Sequence, residues 1–267
     1  MSALYRPNPE ALSAAERTAM AERQLKKHDV AAILLHWFNA LVWLAQLITG
    51  TALIVAERYV LVPVWFREIV LGLFGSGSNM LRFHIVLGVL WAGVLLIYGL
   101  FGFRHYLLGF LKKDLLLDRD DLRWLRNRPL RILGRDVPLP EQGIYNAGQK
   151  AYAWVVVFGT AAIIATGFIM AFHLGPQWLI QWSLPVHFLA VGGVVAGLIV
   201  HIYMAGILPE ERPAFFSMFN GKVNELYAYE HHTKWWRRRK EEKRRFHAEL
   251  ESEFDPEGSN PATRTPP

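Results

Sequence analysis

Residues 184–208 read LPVHFLAVGGVVAGLIVHIYMAGIL. The stretch runs for 25 residues without Asp, Glu, Lys or Arg. That is long enough for a helix to cross the roughly 30 Å hydrocarbon core of a bilayer. Tyrosine aside, its ionisable residues are His187 and His201, fourteen positions apart. At about 100° per residue the second imidazole returns to within roughly 40° of the first, about 21 Å further along the axis. One helix face therefore presents an imidazole near each membrane surface.

Working outward, three more segments have the same character: about 31–56, 84–103 and 151–172. Backbone in lipid must satisfy its own hydrogen bonds, and strand alternation is absent, so all four are read as helices. The fold class is all-α, an integral membrane four-helix bundle. The first thirty residues are polar, with Arg17, Arg23, Lys26 and Lys27 near the first apolar block. No cleavable signal peptide is expected, and the first span stays in the mature protein. Tyr59 to Gly75 is apolar but interrupted by Pro63, Arg67 and Glu68, and reads as an interfacial segment with a short helix. Residues 104–150 are polar with one amphipathic patch at Leu122 to Leu125. The tail is basic at Arg237 to Arg245 and Pro-rich at its end; it is expected to be disordered after Asp255, and the first fifteen residues to be loose. Linear domains follow: a polar arm 1–27, a transmembrane domain 28–240 and a tail 241–267.

About half of the residues are apolar (52%), and the net charge of +6 lies outside the apolar blocks. There is no cysteine. That excludes disulfides, thiolate-bound iron–sulfur clusters and covalent c-type haem in this chain. Of 29 Lys and Arg, 26 fall in the N-terminal segment, the 104–150 loop and the tail. These share one side of the membrane, so both termini are expected in the cytoplasm. The bilayer is the expected surroundings, a bacterial inner membrane, and no nucleic-acid partner is expected.

The spans hold four histidines, His36, His84, His187 and His201, and no other strongly ionisable residue. Intramembrane ionisable groups point to function. Neutral imidazole is also the common axial ligand of b-type haem. Topology places His36 level with His201 at the cytoplasmic side, and His84 level with His187 at the outer side. Two bis-histidine sites for two haem b are expected. Helix-end histidines bonded to water or backbone are the plainer reading for any one of them, but not for four in two depth-matched pairs. His105 and His173, at the interfaces, are the competing ligands; His28, His231, His232 and His247 read as surface residues. Gly50 and Gly88 accompany the first two candidates, and Gly192, Gly193 and Gly197 lie between the last two; close helix packing accounts for them as well as porphyrin approach does.

Several strings sharpen this: His36-Trp37, Arg82-Phe83-His84, Tyr145-Asn146-Ala147-Gly148-Gln149-Lys150, Pro185-Val186-His187 and His201-Ile202-Tyr203-Met204-Ala205. Gly221-Lys222-Val223, His231-His232 and Trp235 follow in the tail. From about residue 28 to about 240 the chain resembles the gamma, or cytochrome b556, subunits of respiratory formate dehydrogenase. These belong with the dihaem cytochromes b of nickel–iron hydrogenase and thiosulfate reductase. The resemblance implies the same ligand pairing. It implies a cytoplasmic-side quinone site (menaquinone or ubiquinone) formed by Asn146, Gly148, Gln149 and His201. It also implies an iron–sulfur beta subunit as electron donor and a molybdenum or tungsten alpha subunit as the site of formate oxidation. The longer N-terminal arm, 104–149 loop and tail depart from that pattern.

Read from the residues alone, Asn146 suits a quinone carbonyl or a helix cap equally well. The hydrogenase or thiosulfate reductase cytochrome is the alternative within the family. A histidine-based transporter and a haem-free membrane anchor are the alternatives outside it. Missing intramembrane carboxylates weigh against the first, and the paired histidines have no role in the second.

Overall fold

The computed structural model describes residues 12–54, 62–102, 109 and 111–254. Four helices are long and apolar enough to span a membrane: α2 (Val30–Leu53), α4 (Gly77–Gly102), α6 (Ala147–Phe172) and α7 (Gln177–Ile202), the last continued by a π-helical turn, Tyr203–Ile207. The expected four-helix membrane bundle is thus present, with different bounds. α4 starts seven residues before His84, and α7 starts ten before His187. Hydropathy marks the part of a helix that lipid surrounds, whereas turns and caps set where it begins. For α4 that signal is Gly75, whose φ of +71° closes the preceding helix; for α7 it is Pro176. The expectations for His105, the first residues and the segment after Asp255 fall outside the described residues.

The chain divides into two compact units. Where the linear reading separates arm, loop and tail, the fold gathers the described residues of 12–25, 117–147 and 223–254 into one unit and those of 26–116 and 148–222 into the other.

The membrane unit turns its apolar side chains outward. Leu41, Leu100, Phe158 and Leu189 are all about two-thirds exposed or more, the reverse of a water-soluble core and what a hydrocarbon solvent asks for. Inside, α2 packs most closely on α4. Trp91 Nε1 donates to Asn39 Oδ1 at 2.7 Å, so the indole N–H of the buried Trp91 is paired. The short helix α3 (Val64–Phe74) lies in the segment read as interfacial. Its Phe66, Val70, Leu71 and Phe74 cover Ala52 and Met80, while Trp65, Ile69 and Leu73 stay exposed on the opposite face. α3 is thus apolar on both faces, as a helix between protein and lipid must be. After α7, helix α8 (Arg212–Asn220) ends at Gly221, φ +74°. Gly221 O accepts from the amides of Lys27 and His28 at 2.8 and 3.0 Å. A Cβ at Gly221 would stand 2.7 Å from His28 O, so only glycine fits there.

The second unit contains α1 (Ala14–Glu22), α5 (Arg119–Ile132), α9 (Glu225–His231) and α10 (Thr233–Phe254). Capping boxes start α1 (Ser13 with Glu16) and α5 (Asp118 with Asp121). Glu225, almost fully buried, binds Arg23 at 2.5 Å and both Lys240 and Trp236 at 2.8 Å. Burial alone would raise its carboxyl pKa; hydrogen bonds from Lys240, Trp236 and Arg23 outweigh that and hold it below the usual range. Lys234 bridges Asp118 and Asp120, Arg237 grips both oxygens of Glu141, and His232 Nδ1 donates to Gly143 O at 2.7 Å. His232, read from sequence as a surface residue, is 1% exposed. Among the described residues the strands are two short ones, β1 (Gln24–Lys26) and β2 (Lys222–Asn224), which pair with each other.

Candidate functional site

His36 lies nearly two turns into α2 and His201 in the last turn of α7. Their rings face one another with centroids 6.4 Å apart, planes tilted 56°. Trp37 meets His36 edge-on at 5.2 Å, and its Nε1 donates to Met218 O at 2.7 Å, tying the start of α2 to α8. Tyr152 of α6 stacks on His201, centroids 5.3 Å apart and planes at 26°. It can do so because position 197 is glycine: a Cβ there would lie 2.5 Å from the tyrosine ring. His36 Nδ1 is buried and has no hydrogen-bond partner among the described residues.

His84 stands on α4 and His187 on α7. Each is held by a threonine of another helix. Thr49 Oγ1 is 2.9 Å from His84 Nδ1, and Thr166 Oγ1 is 2.9 Å from His187 Nδ1. Beside each threonine is a glycine, Gly50 against His84 Cε1 and Gly167 against His187 Cε1. Gln46 Nε2 donates to His84 O at 3.1 Å. Gly50, fourteen positions after His36 on α2, meets the His84 ring. Sequence reading missed Thr49, Thr166, Gly167 and Tyr152. The chain has two Thr-Gly dipeptides, and both are here; that repeat was the available signal.

Among the described residues no group of three or more His, Cys, Asp or Glu could hold a bare metal ion. Paired imidazoles suit a metal that brings its own equatorial ligands. Two imidazole nitrogens at about 2 Å from a shared metal put the ring centroids roughly 6 Å apart, in line with the 6.4 Å at His36 and His201. The residues fit haem.

Asn146 precedes α6, and Gly148 and Gln149 lie in its first turn, on the helix that carries Tyr152. The first amide of α6, Ala147 N, donates to Gln142 Oε1 at 2.6 Å. His173, a competing ligand in the sequence reading, takes φ +53° at the end of α6, where Leu174 N donates to Ile169 O at 3.0 Å. That is a Schellman-type helix stop, a structural role. Beside the start of α2, burial pushes Lys27 down to about 8, against the pull of Glu211. Burial, then Lys27 and His36, push His28 down to about 4, with Asp29 opposing.

Residues 27–221 match the prokaryotic cytochrome b561 family, a stretch that holds all four spanning helices and all four histidines. The chain belongs to that family. As a cytochrome b it is a multi-pass membrane protein of electron transfer that binds haem b. It is similar to the cytochrome b556 subunit of nitrate-inducible formate dehydrogenase from Escherichia coli K12, 29% identical over 122 residues, 44% of this chain and 55% of that protein. A second E. coli K12 formate dehydrogenase cytochrome b556 subunit is 27% identical over 124 residues, 45% and 56% of the two chains. The chain thus spans about half the length of the E. coli relatives it matches. The Haemophilus influenzae formate dehydrogenase cytochrome b556 subunit is 21% identical over 218 residues, 80% of this cytochrome and 83% of that one.

Proposed function

We propose that this cytochrome is the membrane subunit of a respiratory formate dehydrogenase, with two haems b, one between His36 and His201 and one between His84 and His187. The 6.4 Å facing of His36 and His201 carries the reading; the names of the relatives direct it to formate. When bound, haem supplies one-electron redox chemistry. The chain's own residues do the rest. Neutral imidazoles offer nitrogen without bringing charge into lipid. The outward Leu and Phe side chains keep water from the histidines.

Lys and Arg distribution places both termini in the cytoplasm of a bacterium whose inner membrane holds the bundle. His84 and His187 are then at the outer side, where an iron–sulfur beta subunit donates electrons. His36 and His201 are at the inner side, next to the quinone. Asn146, Gly148, Gln149 and His201 form that quinone site, in which side-chain amides donate to a quinone carbonyl. Tyr152, one turn beyond Gln149, stacks on His201, which brings the first turns of α6 beside that histidine. Two electrons from the donor and two protons from the cytoplasm convert quinone to quinol. Formate oxidation belongs to a molybdenum or tungsten alpha subunit.

A reduced-minus-oxidised spectrum with haem quantification tests the cofactor reading. About two b haems per chain are expected, and no b-type absorption overturns it. His201→Ala should remove one haem and His84→Ala the other. Co-purification with a formate-oxidising subunit is expected; a hydrogenase or thiosulfate-reducing partner would reassign the donor.

A further inference from the structure

The two threonines are placed alike. Thr49 Oγ1 lies 2.8 Å from Ala45 O, one turn back on α2, and Thr166 Oγ1 lies 2.6 Å from Ala162 O, one turn back on α6. A carbonyl oxygen only accepts, and a hydroxyl has one proton. Were that proton given to the imidazole instead, two oxygen lone pairs would face each other at these distances. The hydroxyl proton therefore points along its own helix, and Oγ1 accepts from Nδ1–H of the histidine on the neighbouring helix. That places the proton on Nδ1 in both His84 and His187 and leaves each Nε2 with a free lone pair.

The glycine that follows completes the arrangement. A Cβ at Gly50 would stand 3.2 Å from His84 Cε1, and one at Gly167 would stand 3.5 Å from His187 Cε1. Each threonine thus grips one ring atom, on two helices for two histidines; Gly50 also clears the His84 ring, whereas a Cβ at 167 would make ordinary contact. Among the described residues His36 has no such partner at Nδ1.

We propose that Thr49 and Thr166 are a matched pair of positioning residues. Each accepts Nδ1–H of one histidine, His84 or His187, and so fixes the tautomer and ring orientation that aim Nε2 at the iron of one haem b. The proposal rests on the reading of His84 and His187 as ligands of that haem. An acceptor at Nδ1 makes an imidazole a stronger donor to the metal. It favours oxidised iron and lowers the reduction potential.

The test is a potentiometric titration of both haems, with low-temperature spectra of the oxidised form, on the intact purified cytochrome or its complex. Thr49→Val and Thr166→Val keep the shape and remove the acceptor; Thr49→Ser and Thr166→Ser keep the acceptor. Each Val variant should raise the potential of one haem, the haem removed by His84→Ala, making it severalfold more reduced at a fixed solution potential. The other haem should not shift, the double Val variant should shift further, and the Ser variants should titrate like the wild type. If a Val variant loses the haem instead, restoration by Ser supports the proposal and failure of Ser to restore it overturns it. Unchanged potentials and spectra with full haem content also overturn it, as does a shift confined to the haem lost in His201→Ala. Failure of the underlying reading has a separate signature: His84→Ala and His187→Ala would both retain two haems.

Discussion

Tyr152 lies flat against His201, centroids 5.3 Å apart, in a space that exists because residue 197 has no side chain. Two helices thereby fix one imidazole: α7 carries it and α6 supports it. Gly197→Ala should push Tyr152 off His201. About 1–3 kcal/mol of destabilisation is expected from the overpacking, together with loss of the haem proposed between His36 and His201, read by haem-to-protein ratio. Tyr152→Phe, which keeps the ring, should retain it.

His28 sets an acid limit. Its pKa in the fold is about 4, down from 6.5. The unfolded chain therefore binds the extra proton first, and stability is lost as pH falls from about 6.5 towards 4. The difference corresponds to roughly 3 kcal/mol. Thermal unfolding of the detergent-solubilised protein at pH 7 and pH 4.5 should show this loss, and His28→Gln should reduce it.

Gly221→Ala should destabilise the membrane unit by more than about 1 kcal/mol, because a side chain would meet both a left-handed φ and the His28 carbonyl. Haem content should be unchanged at low temperature, with a lowered midpoint of thermal unfolding.

Glu225→Gln keeps the shape of the buried side chain and removes the charge that Arg23 and Lys240 share. Both cations reach solvent, so a moderate cost of about 1–3 kcal/mol is expected. The readout is faster proteolysis between α9 and α10, with an unchanged haem spectrum.

The spans were legible because lipid imposes a composition on every residue of a crossing helix, and the histidines stood out against it. His84 was harder to place. It seemed to open a span, yet it sits two turns inside α4, since an amphipathic first turn from Gly77 carries no hydropathy signal. The Ser13–Glu16 capping box was visible in sequence and announces α1 inside what reads as a loose arm. Thr49 and Tyr152 were not legible. Each is a common residue in an apolar run, and its partner lies on another helix, 35 and 49 positions away. Periodicity reports a helix's own faces, whereas these contacts depend on how helices meet.

The outward Leu and Phe of the four membrane helices have an electrical consequence. They wrap the histidines in an insulating sleeve. In a bilayer that sleeve meets hydrocarbon, so a water-soluble oxidant or reductant can approach this protein only from the two membrane faces.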